Sequence, residues 1–225
     1  TSVSRVKAAK IRYDFNNALY NKTLPSDTAY VVDNLGHLKQ MKIFLKNTND
    51  GFFYRDNIWL VLPNKKIDMS DDDLDRISKV ELDTIEANKK YQFNFPERQK
   101  LLGVGWSHNS GNEGVWSEGS ISFILFNLPK PISGKLSLNF NSYKGNKNDN
   151  FEMKIYFNNT LKKTIKLNNL NVGENITFDF EESEIKNENI IMFEFDNLIS
   201  PFDIFESPDA RKIGILLKSM TVETN

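Results

Sequence analysis

The sequence predicts a mostly β protein: an antiparallel β-sandwich or jelly roll preceded by a smaller α+β N-terminal region. Three observations predict it. After residue 120, apolar residues alternate with polar ones in a succession of short segments, the period of strands with one face buried. Turn-forming Asn, Asp, Gly and Pro separate those segments. The 225 residues include 17 phenylalanines, and aromatic side chains suit a pleated, half-buried surface.

The order of elements follows from local pattern. The basic start, with Arg5, Lys7, Lys10 and Arg12, fits helical and strand spacing equally and reads as a connector from an upstream domain. Ala29–Val32, the turn Asp33-Asn34-Leu35-Gly36 and Leu38–Leu45 predict a hairpin, and Phe52–Leu62 a second apolar region closed by Pro63. Ser70 followed by Asp71, Asp72 and Asp73 predicts the start of a short helix to about Lys79, because carboxylates complement a helix N-terminus. A calcium loop would space its oxygens alternately around a glycine turn, so no metal site is expected there. Tyr91, Phe93 and Phe95 share one face of a strand that Pro96 ends. The predicted boundary separates residues 1–98 from a sandwich at 99–225.

In the sandwich the predicted inward residues are Ile121, Phe123 and Leu125; Leu136, Leu138 and Phe140; and Met153, Ile155 and Phe157. Asn158-Asn159-Thr160 turns the last of these strands into Leu161–Leu167. Ile176, Phe178 and Phe180, Ile191, Phe193 and Phe195, and Ile213, Ile215 and Leu217 complete the set.

Composition excludes several functions. With 29 basic and 30 acidic residues the formal charge is −1, which removes the electrostatic case for nucleic acid. Cysteine is absent, so disulfides, thiolate catalysis and thiolate metal sites are ruled out. His37 and His108 lack the neighbours a zinc site needs, and no cofactor is expected. No G-x-S-x-G elbow supports a serine triad. Glu113 and Glu118 flank Trp116, the one pairing that invites comparison with a glycosidase, yet both lie in a turn-rich loop. Glu181-Glu182-Ser183-Glu184 reads as a solvated turn.

The stretch from Leu102 to Leu128 organises the rest, with Trp106 and Trp116 at the two ends of a polar, glycine-containing loop. Two exposed tryptophans would leave a large apolar patch, so one is expected to be buried. Trp116, followed directly by a strand, is expected at the base of the loop. Trp106, with His108, Asn109 and Glu113, is the expected ligand contact.

An aromatic strand at Phe93 and Phe95, the motifs Gly105-Trp106 and Gly114-Val115-Trp116-Ser117, and a closing Ser207-Pro208 segment occur in that order. Through them the chain, from about Lys89 to Val222, resembles the C-terminal β-sandwich module of bacterial membrane-anchored phosphoglycerol transferases of the sulfatase-like type. Related modules occur on some glycosyltransferases that build surface polysaccharide. The resemblance is carried by Phe93 and Phe95, Gly105-Trp106-Ser107, Gly114-Val115-Trp116-Ser117 and the strand Ile121–Phe126. It closes on Ser207-Pro208-Asp209-Ala210-Arg211-Lys212-Ile213-Gly214-Ile215. Where the family has Pro-Glu, this chain has Asn109-Ser110-Gly111-Asn112, and Glu113 stands nearer Gly114.

The resemblance implies a non-catalytic accessory module whose partners are a glycan or glucan acceptor and a catalytic domain of the same polypeptide. That domain and any membrane segment would lie outside this chain. The implied location is the periplasmic side of the envelope, or the cytoplasm if the glycosyltransferase likeness is the closer. Arg211 is expected to bind a carboxylate or loop carbonyls and pin the closing motif. The alternatives are a purely structural or oligomerisation module and a jelly-roll hydrolase or lyase.

Overall fold

A computed structural model describes residues 30–32, 51–55, 58–62, 82–94, 101–107, 113–143, 151–166, 174–205 and 207–224. In the N-terminal region β1 (Tyr30–Val32), β2 (Gly51–Arg55) and β3 (Ile58–Leu62) form an antiparallel sheet of order β1-β3-β2. The apolar run at 52–62 is thus itself a hairpin, and β1 pairs with β3. The partner expected for β1 at 38–45, the helix at 70–79, and His37 lie outside the described residues.

The rest is a two-layer antiparallel sandwich. Its first sheet has the order β10-β7-β12-β4, from β4 (Lys90–Gln92), β7 (Gly134–Ser142), β10 (Glu174–Phe180) and β12 (Ile213–Thr224). The short β5 (Val115–Glu118) shares the β4 side of β12: β5 pairs along Ile213–Leu217 and β4 along Ser219–Thr221. The second sheet has the order β6-β11-β8-β9, from β6 (Ile121–Phe126), β8 (Glu152–Phe157), β9 (Thr160–Lys166) and β11 (Asn189–Asp196). Asn158 and Asn159 turn β8 into β9 with φ of 48° and 72°, the left-handed pair that a tight hairpin requires.

The core lies between the sheets. Leu136, Leu138 and Phe140 of β7 and Ile215, Leu217, Met220 and Val222 of β12 meet Met153, Ile155 and Phe157 of β8 and Ile191, Phe193 and Phe195 of β11. Phe157 reaches across the layers to Phe178 and Phe180, with ring centroids 6.2 and 5.5 Å away. A register shift between Leu217 and Ser219 lets β12 keep its apolar residues inward on both sides of a bulge at Lys218.

Two expectations are corrected. Strand β6 is buried at all six positions, and its register sets Ile124 and Phe126 toward the core cluster. Ile121, Phe123 and Leu125 therefore lie on the opposite face, buried there instead of between the sheets. The sandwich also begins before residue 99. Asn127 exchanges backbone hydrogen bonds with Asp83 and Ile85 beside β6, and the chain then enters the first sheet as β4.

Candidate functional site

The tryptophan loop is built by residues 101–107, which stitch the two sheets together along one side. Gly103 N donates to Phe123 O at 3.0 Å and Phe123 N to Val104 O at 3.1 Å, adding this segment to the edge of β6. Two residues on, Ser107 N donates to Trp116 O at 2.9 Å and Glu118 N to Gly105 O at 2.7 Å, joining it to β5. Gly105 makes the crossing with φ +90°, and a Cβ there would stand 2.0 Å from Ile121 O. Only glycine fits so close a backbone approach.

This crossing decides which tryptophan is buried, and it reverses the expected order. Trp106 points between the layers at 6% exposure, donates its indole N–H to Phe123 O at 2.6 Å, and meets Phe193 edge to face with centroids 5.6 Å apart. A ring so enclosed offers no stacking platform. Trp116 is half-buried on the outer face of the first sheet, edge to face with Tyr143 at 5.9 Å. Alternation explains the inversion: in β5, Val115 joins the core, so Trp116 must face outward. Glu113 is exposed beside the loop, whereas His108 and Asn109 lie outside the described residues. Glu118 is buried at 6% exposure, so the two glutamates sit in unlike environments and not as matched partners across a cleft.

The closing motif meets this loop. Arg211 grips Asp209 with two parallel hydrogen bonds, Nε to Oδ1 at 2.8 Å and Nη2 to Oδ2 at 2.6 Å. Its Nη1 donates to the Ser107 hydroxyl, 104 residues away in sequence. The buried Ser117 hydroxyl accepts from Gly214 N at 3.1 Å and Ile215 N at 2.9 Å. Gly214 leaves room for that oxygen, because a Cβ there would stand 2.9 Å from it and 3.0 Å from the Phe195 ring.

Electrostatics agree with the geometry. The Arg211 hydrogen bond holds the Asp209 carboxyl below its ordinary range against the effect of burial, and the Arg211 charge adds to this. The guanidinium is raised in turn, first by its hydrogen bond to Asp209 and then by the charges of Asp209 and Glu118. Burial, and then the Asp209 charge, push the Tyr143 phenol up. Trp116, Tyr143, Asp209, Arg211 and Glu118 thus surround one end of the first sheet.

The sheet's outer face continues from there. Cross-strand register aligns Asn141, Leu216 and Trp116 in one row, then Asn175, Asn139, Ser219 and Gln92, then Thr177, Ser137, Thr221 and Lys90. The last two rows, Gln92 aside, line an open groove of about 380 Å³. Sequence reasoning missed Tyr143 and these rows; the polar halves of alternating strands were their only signal. Among the described residues, no group of acidic or histidine side chains has the arrangement of a metal site.

No protein-family model matches the chain, and no curated protein sequence matches it. Solved structures with similarity to it include the family 35 carbohydrate-binding module from Clostridium thermocellum, with a TM-score of 0.35 and 12% identity over 59% of this chain and 97% of that one. The CBM36-1 domain of a multidomain xylanase from the hindgut metagenome of Trinervitermes trinervoides gives 0.35 and 12% over 61% and 97%. A cycloalternan-forming enzyme from Listeria monocytogenes, in complex with its pentasaccharide substrate, gives 0.34 and 10% over 88% of this chain and 17% of that one. Likenesses this weak carry no argument about ligand or ancestry.

Proposed function

We propose that this chain is a non-catalytic accessory module of an envelope transferase that modifies or builds glycan, of the phosphoglycerol transferase-like kind. It holds the glycan acceptor at the aromatic end of the first sheet. The observation that carries this reading is the outward-facing Trp116, braced edge to face by Tyr143 beside the Asp209–Arg211 pair. An aromatic face takes the apolar side of a sugar ring, and neighbouring polar groups fix its hydroxyls. With Trp106 in the core, support for a ligand rests on Trp116 in its place. The two segments that carry the family resemblance meet through Arg211 and Ser107 and through Ser117 and Gly214, as parts of one module would.

Calorimetric titration with neutral glucan oligosaccharides tests the reading. Binding by the native chain that Trp116→Ala weakens about tenfold or more, with the fold intact, is the expected result, since a stacked ring contributes on the order of 1–2 kcal/mol. Binding that Trp116→Ala leaves unchanged would place the ligand elsewhere. In the full-length transferase the module faces the periplasm, and accessibility of a tag on it to an impermeant reagent checks that side.

A further inference from the structure

The two sheets of this sandwich dress their outer faces differently. Where β8 is open to water, it carries long side chains tied to one another: Tyr156 Oη donates to Glu194 at 3.0 Å, and Lys154 lies 3.7 Å from both Glu152 and Asp196. That is an ordinary solvated face, with long charged side chains filling the space above the strands. The first sheet has short side chains instead. Asn139, Asn175, Ser219, Ser137, Thr177 and Thr221 fall into two register-aligned rows across β10, β7 and β12, above a groove of about 380 Å³.

Short side chains leave the space above a sheet empty and present hydroxyl and amide groups at its floor, where Asn139 Nδ2 donates to Asn175 Oδ1 at 2.7 Å. Charges stand at the margins: Lys90 on the edge strand, and Asp179, Lys135 and Glu223 in the next row out. The floor itself is neutral. Across the bulge at Lys218 it meets the row of Asn141, Leu216 and Trp116. From Asn141 to Ser137, four residues at strand rise cover ~14 Å, more than one sugar ring spans.

We infer that the outer face of the first sheet is an extended subsite for a neutral, unbranched glycan chain, which stacks one ring on Trp116 and lays the following rings along the Asn and Ser/Thr rows. This rests on the proposed function and adds to it the length and charge of the ligand. A neutral polyhydroxylated chain matches a floor of paired donors and acceptors, whereas a polyanion would need cations that only the margin supplies.

The test is calorimetry with malto-, isomalto-, laminari- and cello-oligosaccharides of increasing length, from disaccharide to hexasaccharide, and with oligogalacturonides of equal length. At least one neutral series should tighten by about tenfold or more from its shortest to its longest member, the weight of one or two hydrogen bonds. Ser137→Lys and, separately, Thr177→Glu put a long side chain into the groove at solvent-facing positions. Each should abolish the gain with length and leave disaccharide binding at its native value, whereas Trp116→Ala weakens every member. Melting temperatures confirm that the variants fold. Affinity independent of length, long-chain binding untouched by both groove variants, or preference for oligogalacturonides would overturn the subsite and leave the Trp116 reading standing. Absence of binding to every oligosaccharide would overturn both.

Discussion

Replacing Trp106 by alanine sets packing against binding in the tryptophan loop. The side chain is 6% exposed, so nearly all of its surface is lost from the core, and Phe193 loses its edge-to-face partner. The indole N–H also disappears, but its acceptor is not orphaned, because Phe123 O still receives Gly103 N at 3.0 Å. That limits the hydrogen-bond loss to the ordinary net value of about 1 kcal/mol. The cavity term dominates, and buried Trp-to-Ala changes cost about 3–5 kcal/mol. At roughly 2–4 °C per kcal/mol for a domain of this size, the melting temperature should fall on the order of 10 °C. Trp116→Ala removes a half-buried ring and one contact with Tyr143, on the order of 1 kcal/mol. Urea denaturation followed by circular dichroism measures both. If Trp116→Ala proves the costlier change, Trp116 and not Trp106 anchors the loop, and the outward platform proposed for glycan does not exist.

Two further substitutions probe the joint between the loop and the closing motif. Ser117→Ala leaves the buried N–H groups of Gly214 and Ile215 without their hydroxyl acceptor and should cost about 2–4 kcal/mol in urea denaturation; a loss near zero would mean water takes the hydroxyl's place. Asp209→Asn tests the ion pair through pH. Because the folded carboxyl titrates below its ordinary 3.8, its stabilisation is fully present above that value and is lost as pH falls through the lower folded pKa. The stability gap between native chain and variant should therefore be constant near neutrality and close below about pH 4, and a gap that persists in strong acid would show that the pair does not depend on charge.

Strand-by-strand order in the sandwich was legible because most strands have one wet face. Leu136, Leu138 and Phe140 point inward as alternation requires, and so do Met153, Ile155 and Phe157. Strand β6 defeats the same rule. Ile-Ser-Phe-Ile-Leu-Phe is apolar on both faces, so period two cannot say which side meets the other sheet. The upstream boundary was hidden for a different reason: Lys90–Gln92 is a short edge strand with polar ends, recognisable only through its partner β12. In the tryptophan loop, the sequence exchanged which of the two tryptophans is buried. What decides their burial is the crossing at Gly105, a contact between residues 105 and 121 that no local pattern encodes. Tyr143 was missed because it follows a strand and meets Trp116 only when β5 and β7 flank β12.

The arrangement separates two tasks that the sequence places in one loop. Trp106, Gly105 and Ser117 face the interior and join β6, β5 and the start of β12, and the polar groups of that joint are satisfied by backbone. Nothing in it is turned outward for a ligand to reorganise. Trp116 faces the other way from the same short strand that holds Ser117, so its position is fixed by the joint without being part of it. Arg211 links the two sides, anchored to Ser107 at the joint and holding Asp209 beside Tyr143 at the surface. A platform whose backbone is clamped from behind loses little conformational freedom when a sugar ring stacks on it. That is the physical reason the proposed glycan platform is Trp116, on the outer face of the first sheet.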